Sequence, residues 1–178
     1  IYEPSAVACC KLHERLPGNR VTIHECAVGD REGEIMFYED ATAGQTSYVT
    51  EYAGESTRGR RVSITTLDRE FADSDDVIDF LKIDAEGYDL KVLTGCSRLL
   101  ASRRVRYIQF EYNSFWLRTG SSLQAAIQYL EQFGYESRLI TPQGLSVFRY
   151  DLWGDYFFYS NLFACHRDDI KNVGELLE

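Results

Sequence analysis

A chain of 178 residues, 44% of them hydrophobic, is long enough to bury a substantial core in one domain, which excludes a disordered tail. The formal charge of −9 argues against nucleic acid and anionic membrane surfaces as partners, and the apolar runs fall far short of a membrane span. Cys9, Cys10, Cys26, Cys96 and Cys165 are odd in number and lack metal-ligand spacing, so they read as reduced, mostly buried residues of a cytoplasmic protein.

Ile1-Tyr2 reads as the tail of a strand, and Ser5 to Leu16 carries helical spacing through Val7, Cys10, Leu12 and Leu16 before Pro17-Gly18 stops it. Val21 to Cys26 is the next predicted strand. Ile35 to Tyr38, Thr46 to Thr50 and Arg61 to Thr65 are short β segments parted by glycine and polar turns, the pattern of a small antiparallel insertion. Val77 to Ile83, a run apolar but for Asp79 and Lys82, is read as a parallel strand covered on both faces. A helix through Leu90, Val92 and Leu93 follows, then a strand from Val105 to Tyr112 and an amphipathic helix from Ser121 to Phe133 with a left-handed stop at Gly134. Tyr135 to Ile140 and Asn161 to Cys165 are late strands with a turn at Gln143-Gly144 between them. This order predicts an α/β domain built on a doubly wound sheet.

The apolar run ends abruptly at Asp84-Ala85-Glu86-Gly87. Ligands of open α/β sheets bind outside the carboxyl ends of the strands, so acids placed there are functional candidates. The structural alternative is that Asp84 caps the next helix while Gly87 eases the turn. Lys82 and Asp84, two residues apart, share one strand face, and a pair between them keeps Asp84 ionised and makes Glu86 the better proton acceptor. Glu111 ends the neighbouring predicted strand, so Asp84, Glu86 and Glu111 are the catalytic candidates. Such a set suits Mg²⁺ as well, yet no His joins it and its spacing is not diagnostic, so no metal is assigned. His13, His24 and His166 have no suggested partners. The aromatic stretches Phe115-Trp116 and Trp153 to Tyr159 are read as packing against the sheet, with contact to a ligand as the alternative.

The run from Asp79-Phe80-Leu81-Lys82-Ile83-Asp84-Ala85-Glu86-Gly87-Tyr88-Asp89 through Val92-Leu93-Thr94-Gly95, followed by Phe110-Glu111, resembles the FkbM family of S-adenosylmethionine-dependent methyltransferases, with Asp89 where the family usually has Glu. Glu3-Pro4, Cys26-Ala27-Val28-Gly29-Asp30 and Thr66-Leu67-Asp68 match further family motifs in the same order. The resemblance implies a Rossmann-like class I methyltransferase sheet with S-adenosylmethionine as cofactor and a hydroxyl of a sugar, polyketide or other small natural product as acceptor. It implies that Glu3 holds the cofactor's ribose, where the residues alone suggest an acid at a helix start. Ala27, Val28 and Asp30 would line the adenine, or else form a plain turn, and Asp84 would stand near the cofactor. The family also places a strand and a Gly-rich turn ahead of these motifs, so residues 1–178 are expected to be a single, N-terminally truncated methyltransferase-like domain. The rival functions are a non-catalytic binding or assembly domain of the same fold and a nucleotide-dependent oxidoreductase, the latter without a visible dinucleotide fingerprint.

Overall fold

The computed structural model describes residues 1–18, 20–39, 48–50 and 59–174. Ser5 has extended backbone, and its hydroxyl accepts the Ala8 N–H at 3.2 Å, which caps α1 (Ala6–Arg15) where the sequence places the helix. The strand expected over Val21–Cys26 is reduced to one parallel bridge between Tyr2 and His24, and the ladder starts later, at β1 (Ala27–Val28). The cause is the available partner: Ala27 and Val28 pair with Ile64 and Thr65, whereas the bridge joins His24 to Tyr2 alone.

β2 (Gly33–Tyr38), β3 (Tyr48–Thr50) and β4 (Gly59–Thr65) complete a sheet of order β1-β4-β2-β3, in which β2 runs antiparallel to both β3 and β4. Thr46 and the residue after it, the first part of the expected middle segment, lie outside the described residues. Alternation sets the inner face of β4: Val62 and Ile64 are buried while Arg61 and Ser63 face outward.

After α2 (Leu67–Glu70), β5 (Ile78–Ile83) leads through α3 (Asp89–Thr94) and α4 (Ser97–Ala101) into β6 (Val105–Tyr112), and the two strands pair in parallel. A 3₁₀ turn at Ser114–Thr119 and α5 (Leu123–Gln132) precede β7 (Tyr135–Thr141) and β8 (Gly144–Val147); α6 (Tyr150–Trp153), β9 (Ser160–His166) and α7 (Ile170–Gly174) follow. The second sheet has the order β5-β6-β9-β7-β8, with every pair but β5–β6 antiparallel.

The α/β class holds, but the described residues form two mixed sheets and not one doubly wound parallel sheet. Short turns explain this, because a hairpin such as β7–β8 can only return antiparallel. A second expectation also changes. Among the described residues β5 has one strand neighbour, and Val77 and Phe80 are 51% and 52% exposed instead of covered on both faces. Asp79 and Lys82 interrupt the apolar run, and both are exposed in surface ion pairs.

The Thr66-Leu67-Asp68 motif is structural. Thr66 caps α2 by accepting the Arg69 N–H at 3.1 Å, and Asp68 caps α4 across the fold by accepting the N–H groups of Arg98 and Leu99 and the Ser97 hydroxyl at 2.8, 3.0 and 3.0 Å. The main core lies between the five-stranded sheet and its helices, around Leu93, Leu100, Ile108, Phe110, Trp116 and Leu130, while a smaller one joins Ala27, Ile35, Phe37, Val62 and Ile64 to Tyr88. The two meet at glycine contacts: a Cβ on Gly95 would collide with the Gly29 carbonyl oxygen, and one on Gly29 would stand 2.6 Å from the Tyr88 ring. Backbone cannot rotate away as a side chain can, so Gly95→Ala should cost about 1–3 kcal/mol. Urea unfolding followed by tryptophan fluorescence should show a lower midpoint, and an unchanged midpoint would mean that this contact is loose.

Candidate active site

β5 ends at Ile83, and the five residues from Asp84 to Tyr88 turn into α3 without a side-chain cap from Tyr88. Asp84 therefore does not cap the helix. Its Oδ2 accepts from the Lys82 Nζ at 2.6 Å on the face that both share, in a half-exposed pair of the kind that adds at most about 1 kcal/mol. Glu86 sits in left-handed backbone with φ +49°, followed by Gly87 at φ +95°. A Cβ on Gly87 would stand 2.6 Å from the Phe115 backbone, so this position needs glycine for space as well as for conformation. The Thr119 hydroxyl donates to the Gly87 carbonyl at 2.8 Å and ties the turn to the 3₁₀ segment.

Glu111 lies one residue beyond Phe110, which pairs with the last residue of β5. It is 7% exposed, and its Oε1 accepts the Asn113 amide at 2.5 Å while its carbonyl accepts the Trp116 indole N–H at 2.9 Å. The structure thus brings Asp84, Glu86 and Glu111 together where β5 and β6 end, and their charges act on one another. Burial, with Glu111 and Asp84 facing it, lifts Glu86 from its ordinary 4.5 to about 6 against the opposing pull of Arg118. Burial and Asp84 raise Glu111 as well, opposed by hydrogen bonds from Asn113 and Tyr159 and by Lys82. Among the described residues, no group of three or more His, Cys, Asp or Glu is arranged to hold a metal ion.

Glu3 stands apart from this cluster, at the start of α1. Its Oε1 accepts the Ser5 N–H at 2.7 Å, and burial raises its pKa, with Glu39 adding to the shift while the Ser5 N–H and Arg60 oppose it. Glu39 and Arg60 were not singled out by sequence: Glu39 accepts from the Ser5 hydroxyl, and Arg60 donates to the Pro4 carbonyl and lies 5.4 Å from the Phe37 ring centre. A half-buried carboxylate beside a helix start suits the two hydroxyls of a ribose, and in that respect the residues present fit S-adenosylmethionine. Ala27 faces the smaller core and Val28 packs against the main one. Asp30 pairs with Lys91 at 2.9 Å, so an adenine amine would share its carboxylate with that lysine.

A model of the Methyltransferase FkbM domain matches residues 2–137 of the chain. The chain belongs to the FkbM methyltransferase family. A crystal structure of Methyltransferase FkbM from Methylobacillus flagellatus KT is similar at 15% identity and a TM-score of 0.48, over 92% of this chain and 35% of that one. This chain therefore spans about a third of that protein's length. No curated protein is matched. Among the described residues no helix is long and apolar enough to cross a membrane.

The raised pKa of Glu86 has a consequence for stability. Folded protein binds this proton more tightly than unfolded protein, so the associated stabilisation is full below pH 4.5 and is lost as pH rises through about 6. Glu86→Gln should therefore melt at a higher temperature than the parent at pH 7 and at an equal one at pH 4. Equal melting at both pH values would show that Glu86 is not held beside the other acids.

Proposed function

We propose that this chain carries the catalytic core of an S-adenosylmethionine-dependent O-methyltransferase of Rossmann-like class I type, acting on a hydroxyl of a sugar, polyketide or other small natural product. The observation that carries the reading is the acidic edge, where a carboxylate shifted to about 6 stands beside two others at the ends of adjacent parallel strands. S-adenosylmethionine, when bound, supplies an electrophilic methyl group on a positively charged sulfur. The chain's own residues must place the acceptor oxygen in line and take its proton.

Glu86 takes that proton. Asp84 is engaged with Lys82 and Glu111 with Asn113, whereas burial and two neighbouring charges tune Glu86 toward the working pH of a general base. Asp84 and Glu111 keep the edge negative, which favours a cationic donor and orients the acceptor hydroxyl. Glu3 holds the ribose, with Asp30 and Val28 toward the adenine. Support comes from the family membership and from the half-buried carboxylate of Glu3 at the start of α1.

Calorimetry on the full-length protein tests the cofactor half. Glu3→Ala removes charge-assisted hydrogen bonds worth about 1.5–3 kcal/mol, so affinity for S-adenosylmethionine should fall by about tenfold or more. Unchanged affinity in a folded variant would remove Glu3 from the site.

Single-turnover methyl transfer tests the chemical half. Glu86→Gln should slow transfer by about a hundredfold, and the parent's rate should climb with pH through an acid limb near 6 as Glu86 ionises, a limb the variant lacks. A variant that keeps both the rate and the limb would move the base to another group.

A further inference from the structure

Asp89 is the acid the reaction does not use. It opens α3, where an exposed acid would already gain from the helix dipole, yet its exposure is 0%. Burying a carboxyl needs compensating hydrogen bonds, and those that Asp89 makes point outward from the helix to the acidic edge. Oδ2 accepts the Gly87 N–H and Oδ1 accepts the Glu111 N–H, both at 3.3 Å. One side chain thus bridges the backbone of the residue after Glu86 and the backbone of Glu111 itself.

The bridged segment would not hold this shape unaided. Glu86 and Gly87 are consecutive left-handed residues, and a non-glycine residue is strained in that region unless its surroundings over-determine it. Thr119 and the Phe115 backbone contact the turn at Gly87. Asp89 adds what those contacts lack, a direct tie to β6.

We propose that Asp89 is a positioning residue: its buried carboxylate locks the Glu86 turn to the end of β6 and so sets how closely Glu86 and Glu111 face each other. The assignment rests on reading those two acids as the reaction's carboxylates, but the geometric claim can be tested with no methyl donor or acceptor present.

Asp89→Asn is the informative variant. A carboxyl oxygen can accept a hydrogen bond whether or not it carries a proton, whereas the amide nitrogen of Asn cannot, so the variant keeps volume and loses one of the two ties. The side-chain carboxyl carbons of glutamates labelled with ¹³C in the full-length protein report the titration of Glu86 directly. The groups facing Glu86 are Glu111, Asp84 and Arg118, and Asp89 acts on Glu111; losing its charge favours ionised Glu111 and so pushes Glu86 up, which means that a fall at Glu86 reports movement of the turn. In the parent Glu86 should titrate near 6; in Asp89→Asn its midpoint should fall toward the ordinary 4.5 as it leaves Glu111 and the buried setting. Asp89→Glu, which retains two accepting oxygens, should restore the higher midpoint. An unchanged Glu86 midpoint in a cooperatively melting Asp89→Asn protein would overturn the proposal. Should that variant not fold, amide exchange in the parent decides: Gly87 and Glu111 must be protected, and fast exchange at either overturns the assignment. Absence of methyl transfer by the parent, alongside the expected titration shifts, would instead count against the enzymatic reading and leave the geometric assignment standing.

Discussion

β5 stops at Ile83 while β6 runs on to Tyr112, and the buried Asp89 carboxylate takes the Glu111 N–H one residue past the last parallel pair. That single substitution of a side chain for a strand shapes the whole acidic edge. A longer β5 would have carried Asp84 and Glu86 onward along one strand face, with Ala85 and Gly87 on the other. The early stop lets the chain turn back, and the turn places Glu86 beside Glu111. A helix cap by Asp84 would have given a shorter loop and no cluster.

The arrangement is costly in several independent ways. It holds a non-glycine residue at positive φ, buries Asp89 with its pKa raised from 3.8 to about 7 chiefly by desolvation, and gathers like charges whose repulsion raises both Glu86 and Glu111. None of these adds to stability at neutral pH. A core around Leu93, Leu100, Ile108 and Trp116, where each residue is fully buried, is what offsets them. Local rules that fail together at one place, while the surrounding helices and strands obey them, are the signature of a site and not of a fold.

Much of the fold was legible because it is written in local patterns. The helix that follows Ser5, the left-handed Gly134 after α5 and the strand Val105–Tyr112 follow from short-range chemistry and appear where the sequence puts them. What escaped depends on distance along the chain. Asp68 caps a helix about thirty positions later, and no local window distinguishes that carboxylate from the surface acid its neighbours suggest. The β8 strand was missed because Gly144–Val147 is too short to show a period once the turn before it is subtracted. At the acidic edge, Asp84, Glu86 and Glu111 were visible as a polar break after an apolar run. Asp89 was not, since an acid in the first turn of a helix is ordinary and only burial reveals its task. Glu39 and Arg60 were hidden for a similar reason: their link to Glu3 passes through Ser5 and Pro4, which lie far from them in sequence.

Two adjacent side chains tie the acidic turn to both sheets at once. Tyr88 packs into the smaller core with Ala27, Ile35, Phe37, Val62 and Ile64 of the four-stranded sheet, and Asp89 bonds to β6 of the five-stranded one. Ala85, at the other end of the turn, touches both cores. The residues that hold Glu86 therefore answer to two bodies, so a shift of one sheet against the other must be absorbed in the few residues between Ile83 and α3. The close approach of Gly95 to the Gly29 carbonyl opposes such a shift, because backbone lies against backbone there and leaves no side chain to repack. Rigidity at that junction and strain at Glu86 are then two parts of one arrangement: the turn can keep its unfavourable backbone because the sheets on either side are not free to relax it.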